Sequence, residues 1–165
     1  MGDVLIRSAV PGDVEALARL RWQLYTEDVA ATAGSAAEYR DRFRRFAREA
    51  MADPDWHVWV AEDGSGTVVG AMWRFRVPRI PQPDRGEAAP LGYLTNVYIE
   101  PAHRDGGLGS RMLSEVIEAS RAEGFSLIVT WPSDRSYPFY ERAGFVRGDD
   151  PLTLVLDPAV LASPR

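Results

Sequence analysis

The sequence predicts an α/β fold, a mixed β-sheet flanked by helices, and three observations predict it. Short runs rich in Val, Ile, Trp and Tyr alternate with runs of helical spacing in the order β-α-α-β-β-β-α-β-α-β-β. Pro- and Gly-bearing turns punctuate nearly every junction between them. The chain is 165 residues long, 45% apolar and 26% charged, which suits one soluble domain, 1–165, with a real core.

The first β-run, VLIRSAV, closes at Pro11-Gly12, and a helix starts at Asp13 or the turn before it. Val14, Leu17, Ala18, Leu24 and Tyr25 give that helix its apolar spacing. After AATAGSA a second helix carries Tyr39, Phe43, Phe46, Ala47, Ala50 and Met51 on one stripe. Its arginines are interleaved with Asp41 and Glu49, the pattern of a solvated face. ADPD ends it, and WHVWVAED and TVVGAMWRFRV then read as a hairpin joined through GSG.

Residues 78–90 hold four prolines in thirteen positions, which excludes regular structure. A loop of that length inside a domain points to function. LGYLTNVYIEP is the next strand, ended by Pro101. HRDGGLGS follows and leads into a helix striped by Leu108, Met112, Leu113, Val116 and Ile117. FSLIVTWP predicts a buried strand, SYPFYERAG a short helix stopped at Gly144, and FV with PLTLVLD a closing β-pair.

Composition excludes several chemistries. There is no cysteine, so thiol nucleophiles, disulfides and thiolate metal sites are absent, and two histidines make a metal site a poor expectation. There is no lysine, which removes a Schiff-base or P-loop lysine. A net charge of −5 argues against a nucleic-acid partner and for a cationic small one. No apolar run is long enough to span a bilayer and MGDVLIRSAV lacks a signal peptide's apolar stretch, so no membrane partner and a cytoplasmic location are expected.

The glycine stretch carries the functional signal. Gly106, Gly107 and Gly109, just before a helix, suggest backbone N–H groups aimed at an anion. A Walker A loop fails for want of lysine, and a dinucleotide fingerprint fails because Met112 stands in place of its third glycine. The pattern RxxGxG is satisfied by Arg104, Gly107 and Gly109 after the strand Val97-Tyr98-Ile99-Glu100-Pro101. Here the chain resembles the GCN5-related N-acetyltransferase superfamily, whose acetyl-CoA pyrophosphate motif joins a strand, such a turn and a helix. WPSDRSYPFYERAGF resembles the family's downstream motif, and the order of elements extends the resemblance over nearly the whole chain.

The resemblance implies an acyl-CoA N-acyltransferase (GNAT) fold, a mostly antiparallel sheet of about six to seven strands with about four helices. It implies acetyl-CoA as cosubstrate and transfer of its acetyl group to a primary amine of a small molecule or peptide. Cofactor contacts would come from Val97, Tyr98, Ile99, Arg104, Asp105, Gly106, Gly107, Leu108, Gly109, Ser133 and Ser136. Backbone groups of Val97 and Ile99 would pair with the pantetheine arm while Tyr98 faces the opposite side. A backbone N–H near Val97 would stabilise charge on the thioester oxygen. Asp105 is expected to point outward, toward Arg104 or Arg111.

Tyr140 occupies the position of the family tyrosine that protonates the departing thiolate, a task suited to a phenol. Ser133 and Ser136 depart from the family's asparagine and alanine, and both still offer hydrogen bonds. The family's strand glutamate is replaced by Tyr93 or Thr95, which leaves the general base unassigned among Glu27, Asp28 and Glu87. His57 reads as structural and His103 as solvent-exposed.

Acceptor contacts are expected from the first two helices and the 78–90 loop: Trp22, Tyr25 and Tyr93, joined by Trp73, Phe75 and Tyr137 unless these are ordinary core. That loop reads equally as a lid and as an interface. Many relatives dimerise, so a homodimer belongs to the same expectation. Two other functions stay open, a peptide or protein N-terminal acetyltransferase and a non-catalytic acyl-CoA-binding sensor.

Overall fold

A computed structural model describes residues 4–28, 35–81, 83 and 86–148. They fall in two units, one running to Thr130 and the other starting at Trp131. In the first, five strands stand in the order β1 (Leu5–Ser8), β2 (Trp56–Glu62), β3 (Val68–Val77), β4 (Leu91–Ile99) and β5 (Leu127–Val129). The first three neighbouring pairs are antiparallel and β4–β5 is parallel, as a strand reached through a crossover helix requires. The mixed, mostly antiparallel sheet is the expected one.

Three helices accompany this sheet: α1 (Val14–Asp28), α2 (Ala36–Ala52) and α3 (Leu108–Ala122). The first two cover one face. Leu17, Ala18 and Leu20 of α1 and Phe43, Ala47 and Ala50 of α2 bury with Val58, Val60, Ala71, Trp73 and Tyr98 in a single cluster. Each fully buried Leu there contributes about 1.5–3 kcal/mol. α3 lies on the other face, where Met112, Leu113 and Val116 are fully buried. Arg74 of β3 donates to Ser120 Oγ of that helix at 2.8 Å and to Glu123, its C-cap, at 2.5 Å.

α1 is also tied down by charge. Arg7 holds Asp13 in a two-pronged pair at 2.7 and 2.9 Å and Glu62 at 2.6 Å. The Arg7 guanidinium holds the Asp13 carboxyl below the usual carboxylate range. Arg19 pairs with Glu100 and donates to the Val68 carbonyl at 2.6 Å. The helix is thereby anchored at both the β1 and the β4 side of the sheet.

The β2–β3 hairpin turns on Asp63, whose carboxylate accepts from Ser65 N, Ser65 Oγ and Thr67 N at 2.9, 2.6 and 3.0 Å, with Gly66 at φ 83°. In the second unit, α4 (Tyr137–Arg142) ends at Gly144, φ 93°.

Three expectations need correction. Five strands are found among the described residues, fewer than six or seven, because Phe145 and Val146 form no strand and PLTLVLD lies outside the described residues. β5 is three residues long and Leu127 is 46% exposed, so it is not a buried strand, and among the described residues it is the last of the sheet. Phe46, expected on the buried stripe of α2, is 45% exposed and meets Trp56 and Trp73 with its ring.

Candidate functional site

β4 changes character halfway along. Ala71 pairs with Tyr98 and Trp73 with Thr95, so Asn96 and Val97 stand together opposite the single Met72. This is a β-bulge, and Asn96 takes the left-handed conformation it needs, φ 49°. Asparagine tolerates that region better than the β-branched residues around it. The bulge re-aims the strand: Tyr98 returns to the α1/α2 core, and Ile99 lies against Gly70 and toward Met112 on the α3 side. On its other edge β4 meets β5 only at Leu91, Gly92 and Tyr93. Among the described residues no ladder continues there from Leu94 to Ile99, which leaves Val97 and Ile99 on an open strand edge.

The chain then turns through Pro101–His103 and the glycine stretch into α3. Two residues of this loop are left-handed, Asp105 at φ 61° and Gly107 at φ 80°. Only one of the three glycines is therefore required by its own φ. The N-cap of α3 is Gly107, with no side-chain cap and no acidic residue in the first turn. The first N–H groups of a fifteen-residue helix are thus left without a side-chain partner, at its positive end. Such a helix end favours negative charge beside it. Leu108 is buried and anchors the helix start, and Gly109 lies within its first turn.

Arg104 is engaged elsewhere. Its Nε donates to the Ile99 carbonyl at 2.8 Å, and one Nη donates to both Glu27 oxygens at 2.8 and 3.0 Å. Its guanidinium carbon lies 5.2 Å from the Tyr98 ring centre. The Tyr98 hydroxyl donates to Glu27 Oε1 at 2.6 Å, and burial, followed by the Glu27 carboxylate, raises its pKa. Asp105 is exposed, and among the described residues it has neither expected arginine: Arg104 is held by Glu27 and Arg111 donates to the Val4 carbonyl at 3.0 Å.

In the second unit, Tyr140 is buried, its ring edge-on to Phe139 at 4.9 Å and to Phe145 at 5.4 Å. Its carbonyl accepts from Ala143 N and Phe145 N, which fixes the backbone behind the ring. Ser133 and Ser136 hydrogen-bond each other through their hydroxyls at 2.7 Å. Tyr137 carries the Arg147 guanidinium 4.2 Å from its ring centre.

Of the aromatic candidates on the first unit, Trp22 packs on Tyr39 at 5.3 Å, Tyr25 is 43% exposed, and Tyr93 lies opposite Phe75 in the β3–β4 ladder. Trp73 is core. Thr95 is half-buried, Glu87 is exposed, and the Asp28 side chain lies outside what the structure describes. His57 stacks on Trp59 at 3.8 Å and shares a 3.0 Å hydrogen bond with Ser8 Oγ, a structural placement. His103 is half-buried in the turn before Arg104, less exposed than expected. No cluster of three His, Asp or Glu side chains suited to a metal occurs among the described residues, and no helix there is long and apolar enough to cross a membrane.

Sequence reasoning missed two features. The bulge had a signal, an asparagine inside a run of β-formers. The Glu27–Tyr98–Arg104 cluster had none, since its members are 71 and 77 residues apart in the chain.

The model of the acetyltransferase (GNAT) family matches residues 14–145. A glucosamine 6-phosphate N-acetyltransferase of Trypanosoma brucei brucei is 32% identical over 81 residues, 49% of this chain and 52% of that protein. The chain thus spans about half the length of that curated relative. A predicted acetyltransferase from Clostridium acetobutylicum, solved with acetyl-CoA, superposes with a TM-score of 0.78 at 21% identity, covering 93% of this chain and 97% of that one. Glucosamine-6-phosphate N-acetyltransferase from Arabidopsis thaliana gives 0.72 at 17% identity, covering 94% and 99%. At these identities the structural likeness is one of fold.

Proposed function

Since the chain belongs to the acetyltransferase (GNAT) family, we propose that it moves the acetyl group of acetyl-CoA directly to a primary amine within a ternary complex. The reading takes residues 1–165 as one N-acetyltransferase domain. The observation that carries it is the continuity of an open β4 edge with the uncapped N-terminus of α3, joined by a loop with two left-handed residues. A ligand with a peptide-like arm and a pyrophosphate matches both halves. Its amides pair with Val97 and Ile99, and its phosphates meet the N–H groups of residues 105–109.

In this reading the neutral amine nitrogen bonds to the thioester carbon to give a tetrahedral oxyanion. The carbon–sulfur bond then breaks, and the proton that the nitrogen loses passes to solvent water, from which the phenol of Tyr140 is restored. A backbone N–H at the Asn96–Val97 bulge faces the charge developing on the carbonyl oxygen. Tyr140 donates its phenolic proton to the departing thiolate, and Ser133 and Ser136 serve the cofactor side. Trp22, Tyr25 and Tyr93 belong to the acceptor side. The curated relative acts on glucosamine 6-phosphate by its name, which makes amino-sugar phosphates the first acceptors to assay.

Release of free CoA, followed over a panel of amines that includes glucosamine 6-phosphate, tests the reading. Turnover with at least one amine is expected, with Tyr140→Phe slower by about 10²-fold at saturating acetyl-CoA. Binding of acetyl-CoA without CoA release for any amine would assign the protein to acyl-CoA sensing instead.

A further inference from the structure

The family motif invites the view that Arg104 is a phosphate ligand. Its side chain is already committed. Nε holds the carbonyl of Ile99, the last residue of β4, and an Nη spans both oxygens of Glu27, near the end of α1. Glu27 in turn accepts from Tyr98, the neighbour of Ile99. The guanidinium stands over the Tyr98 ring as well. Three elements meet at this point: the C-terminal end of α1, the end of the open strand and the start of the loop.

The partners are matched in kind. A guanidinium presents a planar fork, and a carboxylate accepts it on two oxygens while keeping a lone pair for a phenol. The Glu27 and Arg104 side chains are 21% and 36% exposed, so this is a partly desolvated contact with defined geometry. Four residues before Arg104, Glu100 is paired with Arg19 of the same helix. The turn Pro101–His103 is thus pinned to α1 on both sides, directly upstream of left-handed Asp105 and Gly107.

We propose that Glu27 is a positioning residue for the acetyl-CoA cradle: it locks Arg104 and Tyr98 so that the loop's backbone N–H groups hold the pyrophosphate, and the Arg104 side chain acts as a strut. The inference rests on the functional reading above and adds to it a residue from α1 that no motif marks. Its consequence is specific. A charge that touches the phosphates sets the salt dependence of binding, whereas a strut sets affinity through loop geometry and leaves that dependence alone.

Calorimetric titration of CoA at several salt concentrations separates the two, with wild type, Glu27→Gln, Arg104→Ala and the double variant. Gln keeps the length and an acceptor for Tyr98 but removes the ion pair. The expected result is a roughly tenfold weaker Kd for each single variant, little further loss in the double variant, and a salt slope equal to wild type throughout. Melting curves without ligand verify that each variant is folded, and Tyr98→Phe, which removes one bond to Glu27 and keeps the ring, is expected to weaken binding less.

Unchanged or tighter binding by Glu27→Gln overturns the proposal, since it would mean that Glu27 competes with the phosphates for Arg104. A shallower salt slope in Arg104→Ala overturns it too. Failure of the wild-type protein to bind CoA overturns the functional reading and this inference together, which distinguishes that case from the other two.

Discussion

Asp105 and Gly107, separated only by Gly106, both occupy left-handed backbone, φ 61° and 80°, so the loop before α3 bends on an aspartate as much as on a glycine. A carboxylate beside the proposed phosphate site is misplaced on charge alone. It is explained by conformation, because Asp is among the few side chains that tolerate this region. Asp105→Gly is expected to keep the fold and to match or exceed wild-type affinity for CoA. Asp105→Ala is expected to lose about 1 kcal/mol of stability. At Gly107 an added Cβ meets nothing within 4 Å, so Gly107→Val acts through φ alone. It should lower stability by about 2 kcal/mol and weaken CoA binding at least tenfold, measured by urea unfolding and titration.

Gly70 is required for a different reason, close approach. A Cβ there would come within 2.5 Å of Ile99 Cδ1, 3.2 Å of the Tyr98 carbonyl and 3.4 Å of Met112 Sδ. The isoleucine end can move, but the carbonyl belongs to the strand that forms the open edge. Gly70→Ala should cost about 1–3 kcal/mol, read as a Tm drop of several degrees, and should weaken CoA binding by displacing Ile99.

Acid should loosen the α1 anchor. Asp13 is 6% exposed, and its carboxyl is held below the ordinary value by its hydrogen bonds to Arg7, aided by the Val10 N–H. A depressed carboxylate contributes stability that is complete above its unfolded pKa, about 3.9, and is lost as pH falls through the lower folded value. Wild type should therefore lose stability steeply below about pH 4. Asp13→Asn should be less stable at neutral pH by about 1.5–3 kcal/mol and show a flatter acid limb in urea unfolding across pH.

His57 should titrate low. Burial, with the Arg74 charge adding to it, depresses its pKa below 6.5. The neutral ring stacked on Trp59 contributes stability that is complete above about pH 6.5 and falls away as pH drops through the folded value. Proton NMR should give an imidazole midpoint below 6.5, assigned by its disappearance in His57→Gln.

Much of this architecture was legible because local spacing reported burial directly. Of the stripe Leu108, Met112, Leu113, Val116 and Ile117, the first four are buried on α3 and Ile117 is half-buried, and Gly64-Ser65-Gly66 named the hairpin turn. The loop before α3 was legible as a tight turn into a helix, yet the sequence credited glycines where an aspartate supplies half the bend. β5 was misread because an apolar run does not say how much of it the rest of the fold covers. The position of Arg104 was legible and its partner was not: a contact between α1 and the end of β4 is made by the tertiary fold and leaves no periodicity behind.

The unladdered stretch of β4 has a second side. A strand edge that no neighbouring strand ladders takes up whatever extended chain reaches it first, including the same stretch on another molecule. If acetyl-CoA occupies that edge, it also shields it, and CoA concentration becomes a solubility factor for this protein. Emptied of ligand at high concentration, the protein should then cluster through β4, and adding CoA should disperse it.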